Sequence, residues 1–140
     1  MRRLAAGLAL LLLCGAAVAA GFPRGPDEVA PYLAARESRE PGIRPGTGRT
    51  VTWARGRPAR TPLALVYLHG YSATRQEVAP LPDRVGAALG ANVFYTRLTG
   101  HGRDGAAMLG GSAEAWEQDA LEALAIGRVI GERVVLISTS

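Results

Sequence analysis

Leu63-Ala64-Leu65-Val66-Tyr67-Leu68-His69-Gly70-Tyr71 is the stretch that decides the fold. Six consecutive apolar residues, bounded by Pro62 and stopped at His69-Gly70, form the pattern of a strand buried on both faces. Downstream, Val78, Leu81, Val85, Ala88 and Leu89 recur at spacings of three and four, with Pro80 and Pro82 near the start and Gly90 at the end. This predicts a helix from about Pro82 to Leu89. Asn92–Leu98 reads as a second strand, and a glycine-rich loop, Gly100–Gly111, follows. Ser112 is a plausible N-cap for a helix carrying Glu114 and Glu117 in its first turns and Arg128 in its last. Trp116, Ala120, Ala123, Leu124 and Gly127 form its expected inward stripe. Arg133–Ser138 is a third apolar run. Strand, helix, strand, helix, strand predicts βαβ units in a parallel sheet with right-handed crossovers.

Upstream of Pro62 the chain is rich in Arg, Pro and Gly. Val29, Tyr32 and Leu33 suggest a short amphipathic helix with Pro31 in its first turn. Thr50-Val51-Thr52-Trp53 reads as a short edge strand. Residues 2–23 begin with Arg2-Arg3, run uncharged from Leu4 to Pro23, and carry the small-residue site Ala17-Val18-Ala19. A basic start, an apolar centre and an A-x-A site describe a secretory signal peptide, cleaved after Ala19 or Ala20. The alternative is an uncleaved anchor helix, since the stretch approaches the ~20 residues that span a bilayer. Cys14 follows the bulky Leu13, which argues against lipid modification. As the one cysteine, it provides neither an intrachain disulfide nor a cysteine metal cluster.

Composition narrows the function classes. The 140 residues are 48% hydrophobic and 20% charged, outside the range of coiled coils and charged disordered tails. All 16 basic residues are arginine, and losing Arg2 and Arg3 lowers the net charge from +4 to +2. No basic stripe with interleaved aromatics appears, so nucleic acid is not an expected partner. No metal or cofactor is expected.

Three places carry residues suited to chemistry. At His69-Gly70-Tyr71, a glycine after a buried strand allows a sharp turn that leaves the next N–H facing a crevice, where it can hold an oxyanion. A tight turn with a satisfied histidine is the plainer alternative. Gly100-His101-Gly102 lies after the next strand and completes Gly100-x-Gly102-x-x-Gly105, formally a dinucleotide fingerprint, with Glu122 near the ~20-residue offset. The context differs: Gly110 and Gly111 intervene before the helix begins, and Glu122 falls inside that helix. At Ser138-Thr139-Ser140 an apolar strand runs straight into the first half of a G-x-S-x-G nucleophile elbow, with Ser138 at the first glycine position.

The order of these parts, with Tyr67-Leu68-His69-Gly70-Tyr71, Thr99-Gly100-His101-Gly102-Arg103 and the Trp116-x-x-Asp119 pair, resembles the α/β-hydrolase family, in its esterase, monoacylglycerol-lipase and serine-aminopeptidase branch. The resemblance covers Leu63–Ser140 and, more loosely, Trp53 onward. It implies the N-terminal half of an α/β-hydrolase fold, a mostly parallel sheet with helices on both faces, truncated at the nucleophile strand. The implied organisation is a signal peptide (1–19), an arm with a short helix (20–49) and a partial hydrolase domain (50–140). Ser140 is then the nucleophile and the Tyr71 backbone N–H one oxyanion donor. His69 shapes the loop, and Asp119 is a structural or solvated carboxylate. The family order places the acid and the basic histidine after the nucleophile, so a truncated chain is expected to be inactive. The implied substrate is a small-molecule acyl ester or amide; the location, exported (periplasmic or extracellular) or else N-terminally anchored, follows from the N-terminal segment read above. A non-catalytic exported binding module and, more remotely, a dinucleotide-binding fold are the alternatives.

Overall fold

The computed structural model describes residues 21–139. The expected signal segment, Cys14 and Ser140 lie outside them. The elements in chain order are α1 (Pro26–Glu37), β1 (Thr50–Thr52), β2 (Thr61–Leu68), α2 (Leu81–Leu89), β3 (Asn92–Tyr95), α3 (Ala113–Ile130) and β4 (Gly131–Ser138). Short 3₁₀ turns occupy Arg75–Glu77 and Gly105–Gly110. The strands form one open sheet in the order β1-β3-β2-β4. β2 pairs parallel with β3 and β4, and β1 joins the edge antiparallel to β3.

Alternation along β2 and β3 builds two apolar layers. Ala64, Val66 and Phe94 meet Val29 and Leu33 of α1 and Ala123, Ile126 and Ile130 of α3 on one face. Leu65, Tyr67, Val93 and Tyr95 meet Val85 of α2 on the other. Helices therefore cover both faces of the sheet, as the doubly buried apolar run of β2 requires. The arm that carries α1 shares a core with the strands.

Several local expectations are revised. Pro31 lies inside α1, whose N1 proline is Pro26. A proline at N1 removes a donor that has no intrahelical partner, and Pro31 itself sits on the exposed side. The second strand ends at Tyr95: past the Thr96 N–H, which still donates to the Tyr67 carbonyl at 3.1 Å, the Leu98 N–H leaves the ladder for His69 Nε2. On α3 the buried face is Asp119, Glu122, Ala123, Ile126, Gly127 and Ile130, while Ala120 and Leu124 are half-buried. Two acids point inward because cationic partners await them there.

Ser112 caps α3 by accepting the Ala115 N–H at 3.1 Å, and Gly90 closes α2 in the left-handed conformation (φ 61°). β4 begins at the residue after α3 ends, with no loop between them. Gly131 allows this junction, since a methyl group there would lie 2.6 Å from the Ala64 nitrogen. Gly131→Ala is expected to cost about 1–3 kcal/mol, the usual cost of overpacking a tight core. Gly105→Ala, whose added carbon meets nothing within 4 Å, is expected to cost about 0.5 kcal/mol or less. Urea denaturation of both variants checks the contrast.

Candidate active site

The helix after β2, α2, packs on one face of the sheet and the helix after β3, α3, on the other, so the carboxyl ends of these neighbouring parallel strands are a topological switch point, where ligands of open α/β sheets bind. His69-Gly70-Tyr71 follows β2 and Gly100-His101-Gly102 follows β3, so the sheet brings both loops together. The His69 and His101 rings lie 4.8 Å apart between centroids. Tyr71 and His101 stand at 6.0 Å, Tyr71 and Trp116 at 6.1 Å, both edge-on.

The two imidazoles latch the loops reciprocally. His69 Nε2 accepts the Leu98 N–H at 3.0 Å, and His101 Nε2 accepts the Ser72 N–H at 3.1 Å. An accepting nitrogen carries no proton, so in each ring the proton sits on Nδ1. Nδ1 of His69 donates to the Gly70 carbonyl at 2.9 Å and Nδ1 of His101 to the Thr99 carbonyl at 3.3 Å. Burial, more than any neighbour, pushes the His69 value below that of a free imidazole. Both rings are buried and both nitrogens of each are engaged. These are the only histidines of the chain, and neither offers a free nitrogen for proton transfer.

The latch bends the turn. Ser72 adopts φ 58°, the one non-glycine residue of positive φ among the described residues. The Tyr71 side chain is 72% exposed. Among the described residues no acceptor engages the Tyr71 N–H.

Trp116 and Asp119 explain their own spacing. Three residues apart on α3, they share a face and grip one peptide segment. Trp116 Nε1 donates to the Thr99 carbonyl at 3.0 Å, while Asp119 Oδ2 accepts the Thr99 N–H at 2.6 Å. The other oxygen, Oδ1, accepts from Arg49 at 3.0 Å and faces Arg36 at 3.7 Å. Asp119 is therefore a buried structural carboxylate.

Beneath the loops lies an ion cluster that local sequence patterns do not announce. Arg49 and Arg97 have fully buried side chains, paired with Glu37 at 2.8 and 3.2 Å and with Glu40 at 3.5 and 3.1 Å. Glu122 pairs with Arg36 at 2.8 Å and faces Arg49 at 3.3 Å. It also accepts the Tyr32 hydroxyl, and burial together with this carboxylate pushes the phenol up to about 12. Burial alone would raise the Glu40 carboxyl, but the Arg97 guanidinium outweighs it and holds Glu40 below its ordinary range. Glu122 is thus committed to arginines and a phenol. Gly105 opens a 3₁₀ turn, and α3 begins only at Ala113. These positions do not assemble the helix N-terminus and acid of a dinucleotide site.

Toward β4, the Tyr67 hydroxyl lies 3.1 Å from Thr139 Oγ1, and the Thr139 N–H donates to the Leu68 carbonyl at 3.3 Å. The end of β4 thus runs beside the end of β2. Among the described residues no group of His, Cys, Asp and Glu has metal-site geometry, and no helix is long and apolar enough to cross a membrane. Compared with family models and with curated proteins, the chain matches none.

Two outcomes follow from this geometry. Asp119→Asn removes one of the four carboxylates around Arg49 and turns an amide NH₂ toward either Arg49 or the Thr99 N–H, leaving one buried donor unpaired; it is expected to cost about 1–3 kcal/mol, and chemical denaturation measures it. The second concerns pH. An unfolded His69 binds a proton below about 6.5 while the folded ring resists it, so stability falls as pH drops from 6.5 to the depressed folded value. The slope reaches at most about 1.4 kcal/mol per pH unit, then flattens. Glu40, with its lowered value, acts in a separate window below 4.5. Between pH 7.5 and 5.5 the wild-type chain should lose more stability than His69→Gln. Equal losses would contradict the assignment.

Proposed function

We propose that this chain carries the front part of a serine hydrolase of the α/β-hydrolase type, cleaving an ester or amide by acyl transfer to water. The observation that carries the reading is the free Tyr71 N–H, held on a latched turn at the carboxyl end of β2 while β4 delivers its own end alongside. Ser140 follows Thr139 directly in sequence. The sheet order supports the reading further, because β4, which would bear the nucleophile, lies beside β2, the strand that precedes the Tyr71 turn.

In the reaction the Ser140 hydroxyl oxygen forms a bond to the substrate carbonyl carbon as its proton passes to a base. The carbonyl electron pair moves onto oxygen, where the Tyr71 N–H and a second backbone donor hold it. Collapse expels the alcohol or amine, which takes the proton. Water then repeats the attack on the acyl-serine, releases the acid and restores the hydroxyl. The base does not come from residues 1–140, whose two imidazoles are both committed to backbone groups. On this reading an acid and a histidine would come from outside residues 1–140. The 140 residues alone should therefore turn over no ester above background.

The test uses the product of the reading frame followed past codon 140. That frame should encode Ser140-x-Gly and, later, an acid and a histidine. A fluorophosphonate probe should modify Ser140, read by peptide mass spectrometry, and leave Ser140→Ala untouched. Tyr71→Pro, which deletes the donor N–H, should slow labelling about 10²–10³-fold, the usual loss for one oxyanion donor, with its melting curve recorded alongside. A folded extended protein that the probe leaves unmodified at Ser140 would sink the proposal and favour a ligand-binding module.

A further inference from the structure

Beside the latched turn lies a second concavity of about 200 Å³, lined chiefly by Arg44, Ser72, His101, Gly102, Arg103 and Gly105. It adjoins the candidate active site, because Ser72 and His101 belong to both. Its floor is glycine-rich, and the side over Gly105 is open, since a carbon added there meets nothing within 4 Å. Its walls carry charge.

Arg44 is fixed at its backbone and free at its tip. Its N–H donates to the Gly102 carbonyl at 2.8 Å, and its carbonyl accepts from the Thr47 N–H at 3.1 Å and hydroxyl at 2.8 Å. The Arg44 guanidinium makes no ion pair or hydrogen bond among the described residues. Arg103 is anchored through Nε to the Pro41 carbonyl at 2.7 Å, with one terminal nitrogen facing Glu40. Its nearest carboxylate, Glu40, is 4.0 Å away and already shared with Arg49 and Arg97. The one acid in the wall, Asp104, has an oxygen engaged by the Ala107 N–H at 2.9 Å. Arg103 supplies the fourth cation to a cluster whose other three arginines face four carboxylates, so the wall's cation without a carboxylate partner among the described residues is Arg44.

We propose that this pocket takes a carboxylate, borne by the acyl or leaving part of the substrate, with Arg44 as the principal ligand. A guanidinium presents planar paired donors that match a carboxylate, and 200 Å³ suits a short acidic group rather than a long aliphatic chain. The assignment to substrate rests on the hydrolase reading, and it narrows that reading to half-esters or amides of small dicarboxylic acids. The binding of a carboxylate does not depend on catalysis.

The experiment is an amide-shift titration of the ¹⁵N-labelled 140-residue chain. Monomethyl succinate should move the Ser72, Ala73, Gly102 and Gly105 amides saturably. Dimethyl succinate, uncharged and of nearly the same shape, should not. Arg44→Gln should weaken the monomethyl succinate response at least tenfold, with the remaining spectrum unchanged. Equal responses to the two esters, no response to either, or an unaltered response in Arg44→Gln would overturn the proposal. Inorganic phosphate binding more tightly than monomethyl succinate would reassign the pocket to a phosphoryl group and also overturn it. Saturable carboxylate binding in a protein whose Ser140 stays silent to fluorophosphonate would remove the hydrolase reading and leave the pocket standing.

Discussion

Asp119 divides its two oxygens between different tasks, and the crevice depends on that division. One oxygen neutralises Arg49 inside the protein and the other holds the Thr99 N–H at 2.6 Å. Thr99 begins the loop that presents His101, and His101 in turn holds Ser72 in its bent conformation. A charge interaction under the sheet end is thus transmitted through three hydrogen-bonded steps to the peptide carrying the Tyr71 N–H. Burial makes the Asp119 step strict, because an unpaired carboxylate or guanidinium there would bear its full desolvation cost.

The same cluster explains why the arm belongs with the sheet. Arg36, Glu37 and Glu40 stand on or just beyond α1, Arg49 precedes β1, Arg97 follows β3, and Asp119 and Glu122 lie on α3. Four separate stretches of chain meet in one ionic knot. Val29 and Leu33 add an apolar contact beneath it. Arginine suits both buried cationic positions, since its charge persists at any physiological pH and its fork serves several acceptors together.

Much of the framework was legible in the sequence, for physical reasons. The run from Leu63 to Leu68 could only be a doubly covered strand, and Ser112 and Gly90 punctuated their helices as side-chain and backbone chemistry require. The crevice followed from alternation of strand and helix, which brings successive strand ends to one side of the sheet. What escaped was non-local. Nothing next to Arg49, Arg97 or Glu122 signals burial, because their partners lie outside the local pattern, from Glu37, 12 residues from Arg49, to Arg36, 86 residues from Glu122. The inward turn of Asp119 and Glu122 rotated the buried face of α3 away from the one its apolar residues alone suggested. Pro31 misled because its position relative to the helix start depends on Pro26, five residues earlier. The positive φ at Ser72 could not be anticipated either, since the histidine that imposes it comes from another loop.

β4 pairs with β2 along one side, and among the described residues nothing hydrogen-bonds its other side. Val135 and Leu136, pointing to opposite faces of this strand, are 44% and 47% exposed. An open ladder edge bearing β-branched and aliphatic groups is a template for cross-β growth. A lysine at position 135 would act as a gatekeeper there, interrupting intermolecular ladder formation while leaving the core contacts of Val134 intact.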